Sequence, residues 1–190
     1  MPQSKSKTTF ISLFLVLVLQ VCTTAAQWSV TTLNTFSPSG RPGSSPYSTL
    51  NTTITDKYGY YNAHSNKLSP STAICFMNWQ WGSREITPYN ILFNCSNVDP
   101  NDTESHWSFE MRNATESEYP SPTTDFYLWF RRRRNDDQAR QAPRNILYVG
   151  HARFKVGPGE NMEGICGASG VCSYNLRKEK TPVLIERQVV

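Results

Sequence analysis

From Gln27 onward the apolar residues recur with a period of two, in short runs separated by Pro, Gly, Ser, Asn and Asp, and no segment holds a 3.6-residue period over helix length. Alternation of this kind puts successive side chains on opposite faces of an extended chain, so it restricts the fold to sheets. Candidate strands fall at 27–36, 47–56, 73–81, 89–95, 105–112, 124–131, 145–156 and 182–189. Turn-rich stretches such as Ser37–Pro46 and Tyr119–Pro122 divide them. About eight short strands at this spacing predict an all-β domain, a compact antiparallel β-barrel or sandwich, because closure or face-to-face packing limits exposed edges.

The same alternation assigns faces. Trp107, Phe109 and Met111 share one side of their run, and His106, Ser108 and Glu110 the other. Tyr148, Ala152, Phe154 and Val156 oppose His151, Arg153 and Lys155; the first set of each pair is assigned to the core. Met77, Trp79 and Trp81 lie on the side of Cys75, and Tyr89, Ile91 and Phe93 on the side of Cys95, so a bridge between those cysteines would be buried.

Residues 1–26 do not belong to this pattern. Lys5 and Lys7 precede the apolar run Phe10–Cys22, and Thr24-Ala25-Ala26 supplies small side chains, which reads as a secretory signal cleaved before Gln27. The remaining 27–190 is then a single secreted domain. Its C-terminal Val183–Val190 is interrupted by Glu186 and Arg187, so no membrane span or lipid-anchor tail is expected. The formal charge of +4 includes Lys5 and Lys7, and the weak positive excess that remains does not suit a dedicated nucleic-acid binder. With 38% hydrophobic and 18% charged residues, the chain is neither a disordered tail protein nor a multi-span membrane protein.

Cleavage removes Cys22 and leaves Cys75, Cys95, Cys166 and Cys172, an even set in an oxidising route and therefore two disulfides with three possible pairings. Cys75 and Cys95 occupy like positions in neighbouring apolar runs, and Cys166 and Cys172 enclose a tight Gly-rich loop. The expected pairs are therefore Cys75–Cys95 and Cys166–Cys172. Loop entropy would give them about 3 and about 2 kcal/mol. A C-x5-C spacing without a second close pair does not suit zinc, and no metal or cofactor motif is present. The sequons at Asn51, Asn101 and Asn113 are candidate glycosylation sites; Asn94 suits the modification least, because Cys95 follows it.

Catalytic motifs are absent: there is no G-x-S-x-G, H-E-x-x-H, P-loop or G-x-G-x-x-G. The remaining ingredients are His64, His106 and His151 with Glu110, so a small secreted acid–base hydrolase, ribonuclease-like, is the alternative if those strand faces meet in a cleft. A lipocalin-like carrier with an apolar barrel mouth is another. Arg131–Arg134, followed by Asp136 and Asp137, reads as a hairpin loop. It would be solvated, cut by a processing protease, or a patch for phosphate or acidic glycan. Next to it, Phe126, Leu128 and Phe130 form a buried face and Tyr127 and Trp129 point outward. With His151, Arg153 and Lys155 on the next strand they make a candidate binding patch of aromatics beside cations.

A set of ordered features follows: Trp28-Ser-Val, the Gly40-Arg-Pro-Gly43 loop, Pro46–Asp56, a local cysteine pair, the strands Trp107–Met111, Asp125–Phe130 and Ile146–Val149, and a second local pair. This order resembles the fungal small secreted proteins typified by the major allergen of Alternaria, over most of the domain. The resemblance implies a compact antiparallel β-barrel, two sequential disulfides, secretion by a fungus, and a role as effector, elicitor or allergen that acts through host protein partners without a settled catalytic activity; together with the signal and the cysteines, it makes an extracellular host protein or glycan the expected target. Covalent dimers of that family use a cysteine near the mature N-terminus, whereas Cys22 lies in the signal, so a monomer or non-covalent dimer is expected.

Overall fold

The computed structural model describes residues 27–62, 67–80, 88–136 and 144–190. The signal segment 1–26 with Cys22, and His64, Trp81 and Asp137, lie outside the described residues. The chain forms β1 (Gln27–Ser37), β2 (Tyr47–Asn62), β3 (Lys67–Gln80), β4 (Leu92–Asn94), β5 (Ser96–Asn97) and β6 (Ser105–Asn113). There follow β7 (Asp125–Asp136), β8 (Arg144–Lys155), β9 (Met162–Cys166), β10 (Cys172–Leu176), β11 (Val183–Glu186) and β12 (Gln188–Val189). A 3-10 turn at Lys178–Lys180 precedes β11.

The strands make two antiparallel sheets. One runs β5-β3-β2-β1-β10-β9, with β11 also pairing β1; the other runs β12-β8-β7-β6-β4. They face each other as a sandwich. The barrel implied by the family resemblance is not what forms, because among the described residues no continuous ladder joins the sheet edges. At one edge β4 and β5, of three and two residues, lie in different sheets, and the chain passes between them at Cys95. At the other, β11 and β12 do the same, with Arg187 as the crossing residue, so the single run expected at 182–189 is in fact two strands.

Both expected disulfides form, Cys75–Cys95 and Cys166–Cys172. The first ties the inner face of β3 to the crossing between β4 and β5, with Cys75 wholly buried. The second closes the β9–β10 hairpin, a pair of strands that the Gly-rich sequence did not announce.

The space between the sheets is filled by inward-pointing side chains. Trp28 and Trp107 meet edge to face at 4.8 Å, Phe109 stacks on Phe130 at 6.2 Å, and Phe126 on Phe154 at 6.0 Å. Leu50, Ile54, Met77, Met111, Leu128 and Ile185 pack around them. In the expected core sets Tyr89, Phe93, Tyr148, Ala152 and Val156 are only partly buried against the cluster. Ile91 is exposed, because the run 89–95 gives only a three-residue strand and the side chain lies before it.

The largest correction concerns Arg131–Arg134. These residues are not a loop: β7 continues through them to Asp136, with Arg131 opposite Ser108 and Val149, and Arg133 opposite His106 and Leu147. A central strand hydrogen-bonded on both sides cannot be seated in a protease without local unfolding, so this is not an accessible processing site.

Candidate functional site

Because β7 alternates, Phe126, Leu128, Phe130 and then Arg132 point into the sandwich, while Tyr127, Trp129, Arg131 and Arg133 point out. Register places Glu110 and His151 on either side of Trp129, and Arg112 and Arg153 on either side of Tyr127. The Trp129 ring is held on both faces. His151 stacks on one at 4.2 Å and 7°, and the Arg112 guanidinium lies over the other at 3.9 Å. Tyr127 meets His151 edge-on at 5.9 Å.

Glu110 braces this stack. It belongs to the outward set but is only 6% exposed, since Arg112 Nε donates to Oε1 at 2.6 Å and Arg131 Nη2 donates to Oε2 at 3.1 Å. Two guanidiniums are thus fixed by one buried carboxylate. Arg153 is held at the end of the patch, where Nε and Nη2 donate to the two Asp125 oxygens at 2.8 and 2.9 Å, with Glu116 3.3 Å from Nη1. Burial pushes the Asp125 carboxyl up, but hydrogen bonds from Arg153 and Ser117 and the charges of Arg153 and Lys155 outweigh it, leaving its pKa below the ordinary range. The Tyr127 hydroxyl donates to Glu116, which lowers the carboxyl pKa and raises that of the phenol.

Of the five residues of the expected patch, Tyr127, Trp129 and His151 therefore form one cluster, Arg153 borders it in an ion pair of its own, and Lys155 pairs with Glu160 at 3.0 Å. Sequence reading missed Arg112 and the bracing by Glu110, because both depend on which strand lies beside β7. Beyond the stack, Asn94, His106, Ser108, Arg131, Arg133 and Leu147 line a surface hollow of about 290 Å³. Its polar side chains can all donate hydrogen bonds, and none is acidic. A second hollow of about 370 Å³ lies between His151 and the β11–β12 crossing, with Glu186 and Gln188 on its wall.

Among the described residues, His106, Glu110 and His151 do not come together as an acid–base set. Trp129 separates Glu110 from His151, two strand spacings or about 10 Å apart. The Glu110 oxygens are occupied by arginines, and His106 lies opposite Arg133.

Arg132 has a different role from its neighbours. Fully buried, it donates to Asp56 Oδ2 at 2.7 Å through Nη1 and to Ser105 Oγ at 3.2 and 2.7 Å through Nε and Nη2; Nη2 also reaches the Gly59 carbonyl. The bulge in β2 between Asp56 and Tyr60 presents that carbonyl, and a Cβ on Gly59 would come within 2.2 Å of the Ser71 nitrogen. Asp56 accepts further bonds from Trp28 Nε1 at 3.2 Å and from Arg187. Burial pulls the Arg132 pKa down, opposed by Asp56 and Asp102.

Asn51, Asn101 and Asn113 are all exposed, on the outer face of β2, in the turn before β6 and at the end of β6. Asn94 is exposed too, but it lines the first hollow and precedes a bridged cysteine. Among the described residues no cluster of His, Cys, Asp or Glu is placed to hold a metal ion, and no helix is long and apolar enough to cross a membrane. No family model, curated protein or solved structure matches the chain.

Proposed function

We propose that the protein is secreted and acts as an effector- or elicitor-like binding module, whose target is an acidic surface on an extracellular host protein or glycan. The outer face of β6, β7 and β8 is the contact face. One observation carries this reading: the carboxylate of Glu110, buried beneath the exterior, fixes Arg112 and Arg131 around the Trp129–His151 stack. Side chains already ordered before contact lose less entropy on binding, and Trp and Arg are the residues that most often dominate binding energy. The two disulfides suit an oxidising compartment. A packed interior favours an exterior site over a carrier cavity. The resemblance of the ordered strand and cysteine features to those of the Alternaria allergen family supports the same reading.

The test is capture by secreted, oxidised protein of components from host extracellular fluid, followed by affinity measurement on the captured component. Trp129→Ala and Arg133→Gln should each weaken binding, the former by about 30-fold if Trp129 is a hot spot. Raising salt should weaken it further. Phe76→Ser on the opposite sheet should leave it unchanged. Equal affinities for wild type and Trp129→Ala would overturn the assignment.

A further inference from the structure

The outer face of the other sheet has opposite character. Across β1, β2 and β3 the outward rows read Ser29–Thr55–Thr72, Thr32–Thr53–Ile74, Asn34–Asn51–Phe76 and Phe36–Thr49–Asn78, without a single charge. Hydroxyl pairs knit it, Thr32 to Thr53 at 2.8 Å and Thr55 with Thr72 at 3.0 Å. Near its margin, on β3, stand Ile74 and Phe76, 46% and 52% exposed, with only the two-residue β5 beyond them. Asn51 is the direct cross-strand partner of Phe76, with Cβ atoms about 5 Å apart in such pairs. Asn51 opens the sequon Asn51-Thr52-Thr53. Asn34, next to it, spends its amide on Ser173, Tyr174 and Asn175, whereas Asn51 has no side-chain hydrogen bond among the described residues.

We infer that Asn51 carries an N-linked glycan whose first sugar lies on the Phe76 ring and covers Ile74. The inference rests on the secretory part of the proposed function. In the modification, Asn51 Nδ2 bonds to C1 of an N-acetylglucosamine, the bond from C1 to the pyrophosphate of a lipid-linked oligosaccharide donor breaks, and the amide loses one proton. The hexosamine ring has an axial C–H face that packs on an aromatic face, and its hydroxyls and acetamide stay in water. Seated there, it removes the apolar pair on β3 from solvent and bars a second copy from stacking on it. The opposite, cationic face remains open.

The test uses the full chain, including residues 1–26, secreted from a eukaryotic host with Asn94, Asn101 and Asn113 changed to Gln. Mass spectrometry of the Asn51 peptide should find it glycosylated. The melting temperature should survive trimming to one N-acetylglucosamine and fall by roughly 2–4 °C in Asn51→Gln. Phe76→Ala should abolish the difference between glycosylated and Asn51→Gln protein, and Phe76→Tyr should restore it. An unmodified Asn51 in secreted, disulfide-bonded protein overturns this inference alone, as does a glycan whose stabilisation is indifferent to Phe76→Ala. Retention of the chain in the cytosol with free cysteines overturns the secretory reading with it.

Discussion

Arg132 and Arg133 are consecutive, chemically identical and opposite in consequence. Arg132 is a desolvated cation whose fork is filled by Asp56, Ser105 and Gly59, and removing one member of a buried pair strands the others. Arg132→Gln should therefore cost roughly 3–5 kcal/mol of unfolding free energy, read from urea denaturation. Arg133→Gln, on the solvent side, should stay within about 0.5 kcal/mol. Similar losses for both would mean that the alternation of β7 is broken at this point. The contrast was not legible in the sequence. Parity continuing from Phe126, Leu128 and Phe130 does point Arg132 inward, but its acceptor Asp56 lies 76 residues away. Without that partner an inward arginine is untenable and a loop is the cheaper reading. The cysteine pairs were readable for the converse reason, since their partners are only 20 and 6 residues apart.

At the scale of elements, alternation within a strand was enough to place Tyr127, Trp129, His151 and Arg153 on one face, because β7 and β8 are consecutive and pair antiparallel. It could not supply Arg112 or the burial of Glu110, which follow from β6 lying on the other side of β7. The runs 89–95 and 182–189 do contain β4, β11 and β12, but β5 and the changes of sheet at Cys95 and Arg187 were hidden, since two to four residues carry too little pattern to mark them. The start of β7 has a pH signature. Asp125 binds its proton more weakly in the folded state than in the unfolded chain, because Arg153 and Ser117 hold the carboxylate. Acid therefore favours the unfolded state: the contribution is full above about pH 4 and is lost as pH falls through the folded value. Asp125→Asn should flatten this part of the stability–pH curve, measured as denaturation midpoints from about pH 8 to 2, and leave the slope above about pH 6 unchanged. A variant with wild-type acid dependence would assign the effect elsewhere.

For the molecule as a whole, no closed ladder joins the sheets among the described residues, so beside the packing and the buried Arg132–Asp56 pair across the gap their register depends on a connection at the edges. The chain supplies it twice by stepping between sheets at a single residue, and each step is fastened differently. Cys95 is bonded to Cys75 on β3, and Arg187 reaches inward to Asp56 on β2 while lying over the Tyr148 ring of β8 at 4.7 Å. The two fastenings sit at opposite margins, with β4 and β12 separated by β6, β7 and β8, which at about 4.8 Å per strand is close to 20 Å. Sites so far apart with no shared partner should act independently. The paired change Cys75→Ala/Cys95→Ala should remove about 3 kcal/mol, the entropy of the closed loop. Arg187→Gln should remove about 1–3 kcal/mol, since Asp56 keeps Arg132 and Trp28 as donors. Combined, the losses should add within about 0.5 kcal/mol in urea denaturation. A loss well beyond the sum would show that the margins support each other through the core, with either fastening able to hold the sheets in register once the other is gone.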